Sequence, residues 1–278
     1  MTVEPLSTSR ISYDIIGDIA IIKPIPGFQA NMIELAGKII AANKHVRTVL
    51  RQVTPVSGEY RTRALDWILG EKKTETVHRE HGCWFKVDVA RVYFSPRLIY
   101  ERIRVAKKVN PGETVINMFA GAGCFSIIIA KHSRASKVFS IDINPEAARY
   151  TFENVYLNKV EGRVSTILGD SKAIVELHLR ERADRVLMPL PNMAITYLDA
   201  AIAALKSKQG DLHIYDFVHA KKGESPLQET LDKIGLKLRQ FELNVIRKDA
   251  RIVRTIGPNW YQTVVDLTLE KASRTNVC

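Results

Sequence analysis

The sequence predicts an α/β protein: a mainly parallel, seven-stranded sheet with helices on both faces, preceded by a small α+β domain. Three observations carry this. From residue 114 onward, strand-like and helix-like segments alternate, as a parallel sheet with crossover helices requires. The chain closes on two strand-like stretches, 238–247 and 259–269, with no helix between them, which adds an antiparallel hairpin at one edge. The first hundred residues lack the alternation and read as short strands around one helix. A chain of 278 residues has room for one large or two modest domains. The change of pattern divides it at 1–92 and 93–278.

Each element has its own signal. Ile11 to Lys23 alternates and is rich in isoleucine, a hairpin turning at Gly17-Asp18. Pro24-Ile25-Pro26-Gly27 breaks it. Gln29 to Asn43 spaces Met32, Leu35, Ala36, Ile39 and Ile40 along one helix face. Val46 to Val53 reads as a strand, and Glu75 to Val89 as a second hairpin turning at His81-Gly82. Tyr100 to Val109 is a basic amphipathic helix, ended by Asn110-Pro111-Gly112. Strands are then expected at 114–119, 137–141, 163–168, 184–188 and 211–217, with helices between them. One of those is alanine-rich, from Ala194 to Leu205, and another lies near 225–235.

Composition narrows the function classes. A hydrophobic content of 46% supplies a core, and 41 Lys and Arg against 30 Asp and Glu leave a net charge of +11. Such an excess fits a polyanionic partner, although it also serves solubility. Cys83, Cys124 and Cys278 lie far apart with no Cys-x-x-Cys, which argues against zinc and disulfides and fits a reducing, cytoplasmic setting. The first ten residues have no apolar signal core, and no apolar run approaches the roughly 20 residues of a membrane span.

The most informative segment runs from Gly112 to Glu146. A strand ending at Phe119 enters the turn Ala120-Gly121-Ala122-Gly123; a helix follows; the next strand ends in Asp142. This is the βαβ pattern of nucleotide cofactors, in which glycines let backbone approach the ligand and the acid binds ribose hydroxyls. The third glycine of a dinucleotide fingerprint falls at Ser126. That favours S-adenosylmethionine over a nicotinamide, as does the closing hairpin, which suits a class I (Rossmann-like) methyltransferase domain. The expected cofactor set is Phe119, Ala120, Gly121, Gly123, Asp142, Ile143, Asp170, Ser171 and Pro189. Asp170 follows the third strand, where an acid accepts from the adenine amino group, and both Asp170 and Ser171 also suit a helix N-cap. Pro189-Leu190-Pro191-Asn192 ends the fourth strand and should line the substrate side, since ligands lie beyond the carboxyl ends of such strands.

Three segments together resemble one family: Gly58-Glu59-Tyr60-Arg61, Asp88 to Leu98 (Asp-Val-Ala-Arg-Val-Tyr-Phe-Ser-Pro-Arg-Leu), and Met118 to Ser126 (Met-Phe-Ala-Gly-Ala-Gly-Cys-Phe-Ser). The chain resembles, from about residue 11 to 270, the archaeal and eukaryotic tRNA (guanine-37-N1)-methyltransferases and their wybutosine-pathway relatives. The resemblance implies roles residue by residue. Arg61 matches an arginine that contacts the target guanine, and Tyr93 a tyrosine lining the site. Arg97 matches an arginine near the methionine end of the cofactor, and Glu101 the general base. The chemistry explains the choice. Guanine N1 carries a proton at neutral pH and is no nucleophile until a base removes it. The charge then developing on O6 needs a donor, and the guanidinium fork suits it. Methyl transfer from a sulfonium needs no metal. Each residue also has a plainer role open to it: Glu101 can favour a helix dipole, Arg61 can be a surface arginine, Arg97 can pair with a local acid, and Tyr93 can be a core aromatic.

Two departures from the family pattern stand out. Relatives carry Asn-Leu-Pro or Asn-Pro-Pro after the fourth strand, where this chain has Pro189-Leu190-Pro191; Asn192 is the nearest amide. Many relatives also begin with a further small domain that reads the outer corner of tRNA, and this chain is expected to start at the middle domain. Cys124 stands where proline is common. The basic charge is expected to serve RNA: Arg102, Arg104, Lys107 and Lys108 crowd one helix, and Arg247, Lys248, Arg251 and Arg254 the final hairpin. Pro191, Asn192, Lys107, Lys108 and Arg251 form the expected substrate set. The expected partner is the anticodon stem-loop of tRNA, bound by a monomer, with no DNA and no membrane. Within the family, methylation of the tricyclic wyosine precursor and aminocarboxypropyl transfer remain alternatives. Outside it stands an RNA-binding protein with a degenerate cofactor site.

Overall fold

A computed structural model describes residues 12–23, 31–206 and 209–271. The expected breaker at 24–27, the helix start at Gln29, the amino-terminal ten residues and Cys278 lie outside the described residues. The chain divides into two compact units, Met1–Ile99 and Tyr100–Cys278. The division falls after Ile99, where the sequence pattern set it after Val92.

In the first unit, β1 (Tyr13–Ile16), β2 (Ile19–Ile22), β3 (Thr48–Gln52) and β4 (Leu65–Gly70) form a sheet in that order. The β1–β2 hairpin turns at Gly17-Asp18, with Gly17 at φ +56°. Strands β2 and β3 are parallel, so helix α1 (Met32–Ala42) is their crossover. Asn31 caps α1 by accepting from Ile33 and Glu34, and Leu35, Ala36 and Ile39 pack on Ala20, Ile22 and Val49. The sequence does not announce β4. It pairs with β3 across a register shift between Val49 and Leu50, which breaks the two-residue alternation that marks a strand. Strands β5 (Glu75–Glu80) and β6 (Cys83–Asp88) pair separately and turn at His81-Gly82, where both φ values are positive.

The second unit opens with α2 (Ile99–Lys108), whose first residue lies just before the division. Then come β7 (Thr114–Asn117), α3 (Cys124–His132), β8 (Lys137–Asp142), α4 (Pro145–Leu157) and β9 (Val164–Leu168). A short α5 (Ser171–Ile174) runs into a π-helical turn, followed by β10 (Arg185–Met188), α6 (Leu198–Ala204), β11 (Gln209–His219), α7 (Pro226–Leu238), β12 (Leu243–Gly257) and β13 (Trp260–Lys271). The expected seven-stranded sheet forms in the order β12-β13-β11-β10-β7-β8-β9. Strands β11 to β9 run parallel, while β13 is antiparallel to both its neighbours. Central strands are apolar runs because helices cover both faces: Val186, Leu187 and Met188 of β10 are all fully buried. Ile116, Ile141, Val186 and Ile214 join Leu198, Ala201 and Ala204 of α6 in the main core.

Two expected boundaries move. The alanine-rich helix opens as a 3-10 turn, Ala194–Tyr197, before α6. The first closing strand is Leu243–Gly257, not 238–247; Leu238 ends α7. Strand β12 is the outer edge, largely exposed, and three register shifts interrupt it, so its sequence carries charge in place of alternation.

Candidate active site

The chain winds outward from β7 through β8 to β9, then returns to lay β10 on the other side of β7. That reversal opens a crevice at the carboxyl ends of β7 and β10. The turn after β7 is built for close approach. Gly121 and Gly123 sit at φ +57° and +82°, where glycine is favoured. A Cβ on Gly123 would lie 2.9 Å from the Thr151 side chain. Helix α4 holds the turn from behind: Thr151 Oγ1 donates to Gly121 O at 2.8 Å and Asn154 Nδ2 to Ala122 O at 3.0 Å. Beneath it, Asn117 donates to Ser126 Oγ (3.1 Å), which bonds Ser140 Oγ (2.8 Å) in a buried polar trio. Ser126, at the missing third glycine, is thus a buried hydrogen-bonding partner.

Asp142 ends β8 beside this turn. Its Oδ2 accepts from Gly121 N at 2.7 Å and its Oδ1 from Asn144 N at 2.9 Å. Burial pushes its carboxyl above the usual range, opposed by backbone bonds from Asn144, Gly121 and Ile143. A carboxylate offers about four acceptor positions, so capacity remains for hydroxyls. Next to it Ile143 is an exposed apolar side chain, as is Leu168 at the end of β9. Asp170 caps α5 through Ala173 N (3.2 Å) and accepts from Tyr197 OH at 2.7 Å. The Tyr197 ring meets Phe119 edge-on, with centroids 5.1 Å apart. Ser171 is 3% exposed, and its Oγ is buried without a hydrogen-bond partner among the described residues. A buried orphan hydroxyl is rare unless something else satisfies it.

S-Adenosylmethionine fits these groups. Asp142 suits ribose hydroxyls, Ile143 and Leu168 offer apolar surface to adenine, Ser171 has a free hydroxyl, and the Gly121 backbone is approachable. Pro189 and Leu190 are half-buried, Pro191 is buried, and Asn192 is exposed on the loop after β10.

Glu101 lies on the first turn of α2, yet it is only 3% exposed. Its Oε1 accepts from Arg104 Nη2 (2.6 Å) and Tyr215 OH (2.7 Å), its Oε2 from Arg104 Nε (2.9 Å) and Arg251 Nη1 (2.7 Å). Burial, reinforced by Glu101, drives the Tyr215 phenol well above its usual pKa, so it donates. The Tyr215 ring stands 6.1 Å from Phe125, in the first turn of α3, which links Glu101 to the glycine turn. Behind Glu101 the network continues. Arg104 and Lys108 pair with Asp266, which accepts from His213 Nδ1 at 2.6 Å. Arg185 Nη1 donates to His213 Nε2 at 2.8 Å and grips Glu113 and Asp211. Arginine has no acceptor, so His213 Nε2 must accept and Nδ1 carries the hydrogen: a neutral imidazole. Burial lowers its pKa, in agreement.

This corrects the reading of α2 as an RNA-facing basic helix. Arg102 is buried, Arg104 and Lys108 are tied to internal acids, and Lys107 alone of the four is exposed. The helical period sent three of the four cations towards the unit. On the closing hairpin, Arg247 and Lys248 are exposed, while Arg254 donates to Gln262.

Arg61, Tyr93 and Arg97 belong to the first unit. Arg61 is held at φ +56° in the turn that Ser57 and Thr62 close, a conformation that costs a non-glycine residue of order 1–3 kcal/mol. Tyr93 is exposed at 37%. Arg97 donates to Asp14 Oδ1 (2.7 Å) and Ser12 Oγ (3.3 Å). No local sequence signal marks Arg63, whose guanidinium burial pulls down in pKa, against the pull of Asp14 and Tyr93. Nothing local marks Tyr197, Tyr215, His213 or Asp266 either.

A sheet of this order with a glycine turn and a ribose acid defines a class I S-adenosylmethionine-dependent transferase. Comparison with known proteins carries the assignment further. The TRM5/TYW2 methyltransferase domain matches residues 76–246 and the TYW2 N-terminal domain residues 2–74. The tRNA (guanine(37)-N(1))-methyltransferase Trm5b of Pyrococcus abyssi is 42% identical, over 92% of this chain and 74% of that one. The tRNA 4-demethylwyosine(37)-methyltransferase Taw21 of Saccharolobus solfataricus is 39% identical, over 91% of this chain and 92% of that one. The structure of Methanocaldococcus jannaschii TYW2 in complex with AdoMet superimposes with a TM-score of 0.71 at 30% identity, covering 94% of this chain and all of that one. The chain belongs to the TRM5/TYW2 family of tRNA-modifying enzymes, whose cofactor is S-adenosylmethionine. No helix among the described residues is long and apolar enough to cross a membrane.

Proposed function

We propose that this protein transfers a methyl group to N1 of guanosine 37 in tRNA, beside the anticodon, with Glu101 as the base. The observation that carries this reading is the buried Glu101 carboxylate, tied through Tyr215 and Phe125 to the glycine turn. When bound, S-adenosylmethionine supplies an electrophilic methyl group. Asp142 and Ser171 would hold it, and Gly121 would let it approach. Glu101 accepts the N1 proton, leaving the electron pair on the ring as the nucleophile. Arg61 serves the charge that builds on O6, a role the family resemblance assigns to it. The target base must leave its stack to react. Exposed Arg247, Lys248 and Lys107 supply phosphate contacts. The 42% identity to a relative named for this reaction supports the same reading.

A second reading has its own support. Pro189 stands where N1-methyltransferases of the family carry asparagine, and Taw21 matches over nearly its full length. Under it the substrate is the tricyclic wyosine precursor at position 37, modified by methyl or aminocarboxypropyl transfer. Incubation with methyl-labelled cofactor and an unmodified tRNA transcript, followed by nucleoside mass analysis, separates the two. The first reading predicts labelled 1-methylguanosine, lost when G37 is replaced by A. No transfer to the transcript, with transfer to tRNA carrying the tricyclic precursor, would overturn it in favour of the second.

A further inference from the structure

Glu101 accepts four hydrogen bonds, two on each oxygen, and a carboxylate has about four acceptor positions. It therefore has no position left for an incoming N1–H. One donor must leave before Glu101 can act, and the four are not equal. Tyr215 is buried, with its hydroxyl on Glu101. Arg104 grips Glu101 with two nitrogens and is held from behind by Asp266. Arg251 makes a single bond through Nη1, its side chain is 43% exposed, and it stands on β12, the sheet edge. Exposed Arg247 and Lys248 lie on the same strand, so an RNA backbone drawn to this edge brings phosphate to Arg251.

We propose that Arg251 caps Glu101 in the RNA-free protein and moves onto a backbone phosphate when RNA binds, which uncovers Oε2 as the proton acceptor. The exchange keeps the guanidinium paired throughout, carboxylate before and phosphate after, so neither state leaves a half-buried charge alone. It also couples exposure of the base to the presence of substrate. In the step that follows, the guanine N1–H bond breaks, the proton goes to Oε2, and the electron pair remains on the ring; the cofactor's sulfonium would supply the methyl group, the methyl–sulfur bond breaking with its electron pair retained by sulfur as a thioether. Arg104 and Tyr215 stay in place and orient the carboxylate. The proposal rests on Glu101 being the base.

The test compares wild type, Arg251→Ala and Arg251→Lys on a G37 tRNA transcript, measuring affinity against salt and single-turnover rate against pH at saturating tRNA. Removal of one phosphate contact should weaken binding about tenfold and lower the log–log salt slope by about one, with lysine restoring most of it. The loss should fall on binding, and the pH midpoint of the rate in Arg251→Ala should match wild type, because Arg251 has already left Glu101 in the complex. An unchanged salt slope would overturn the proposal. So would a midpoint displaced to higher pH, the mark of a cation removed from beside a working carboxylate. Glu101→Gln, run in parallel, keeps the two ideas apart: full activity there removes the base itself, whatever Arg251 does.

Discussion

At the proposed cofactor site, single side chains make separable predictions. Asp142 is fixed by the Gly121 and Asn144 backbone, with acceptor positions to spare. Asp142→Ala should weaken S-adenosylmethionine binding by about 1–3 kcal/mol; calorimetry returning the wild-type affinity would remove the pocket assignment. Ser171→Ala should cost about 0.5–1.5 kcal/mol of cofactor affinity, since its buried hydroxyl has no hydrogen-bond partner among the described residues and is proposed to meet the ligand. If that variant instead binds as wild type and unfolds at the same denaturant concentration, the hydroxyl serves no ligand. The glycines and Asp142 were legible in the sequence because backbone geometry and ribose chemistry demand those residues at that spacing. The partners of Glu101 were not. Tyr215 and Arg251 lie 114 and 150 residues along the chain, and only the folded sheet brings them to it.

Elements were legible wherever burial imposed a period. The parallel strands, the β1–β2 and β5–β6 hairpins and α1 all carry that signature. Strands β4 and β12 do not, because register shifts and exposure erase it. Charge misleads for a related reason. A run of cations looks alike on either face of a helix, and on α2 three of four turn towards the unit. The proposed RNA-binding electrostatics then fall mainly to β12. Arg247→Ala and Lys248→Ala should each lower the salt slope of tRNA binding by about one and weaken all tRNAs alike. Charge reversal at Lys107 should act in the same direction. Titrations at several salt concentrations measure this; slopes equal to wild type in all three variants would mean that these cations face only solvent.

At the scale of the whole molecule, a chain of ion pairs and hydrogen bonds crosses the second unit from Glu113 through Arg185, neutral His213, Asp266 and Arg104 to Glu101. Burial raises the Asp266 carboxyl, but His213, Arg104 and Lys108 together outweigh it and hold its pKa well below the usual carboxylate range. A carboxyl depressed in the folded state lends stability above its unfolded pKa, near 3.9, and that stability fades as pH falls below it. Asp266→Asn should therefore cost about 1–3 kcal/mol at pH 7, where the partly buried Arg104 and Lys108 lose their shared carboxylate. The gap to wild type should narrow below about pH 4. Urea unfolding at pH 7 and pH 3.5 reads this directly, and an equal gap at both would mean that ionisation of Asp266 is not what stabilises the fold. Because the network ends on Glu101, it also bears on the reaction. Glu101 is proposed to remove the guanine N1 proton, and single-turnover methyl transfer by Glu101→Gln across pH tests that role at the reacting atoms. Cofactor binding should stay intact, the rate should fall by about 10²- to 10⁴-fold, and the wild-type rise of rate with pH should be lost. A glutamine variant that transfers methyl groups at the wild-type rate, with the wild-type pH profile, would contradict it.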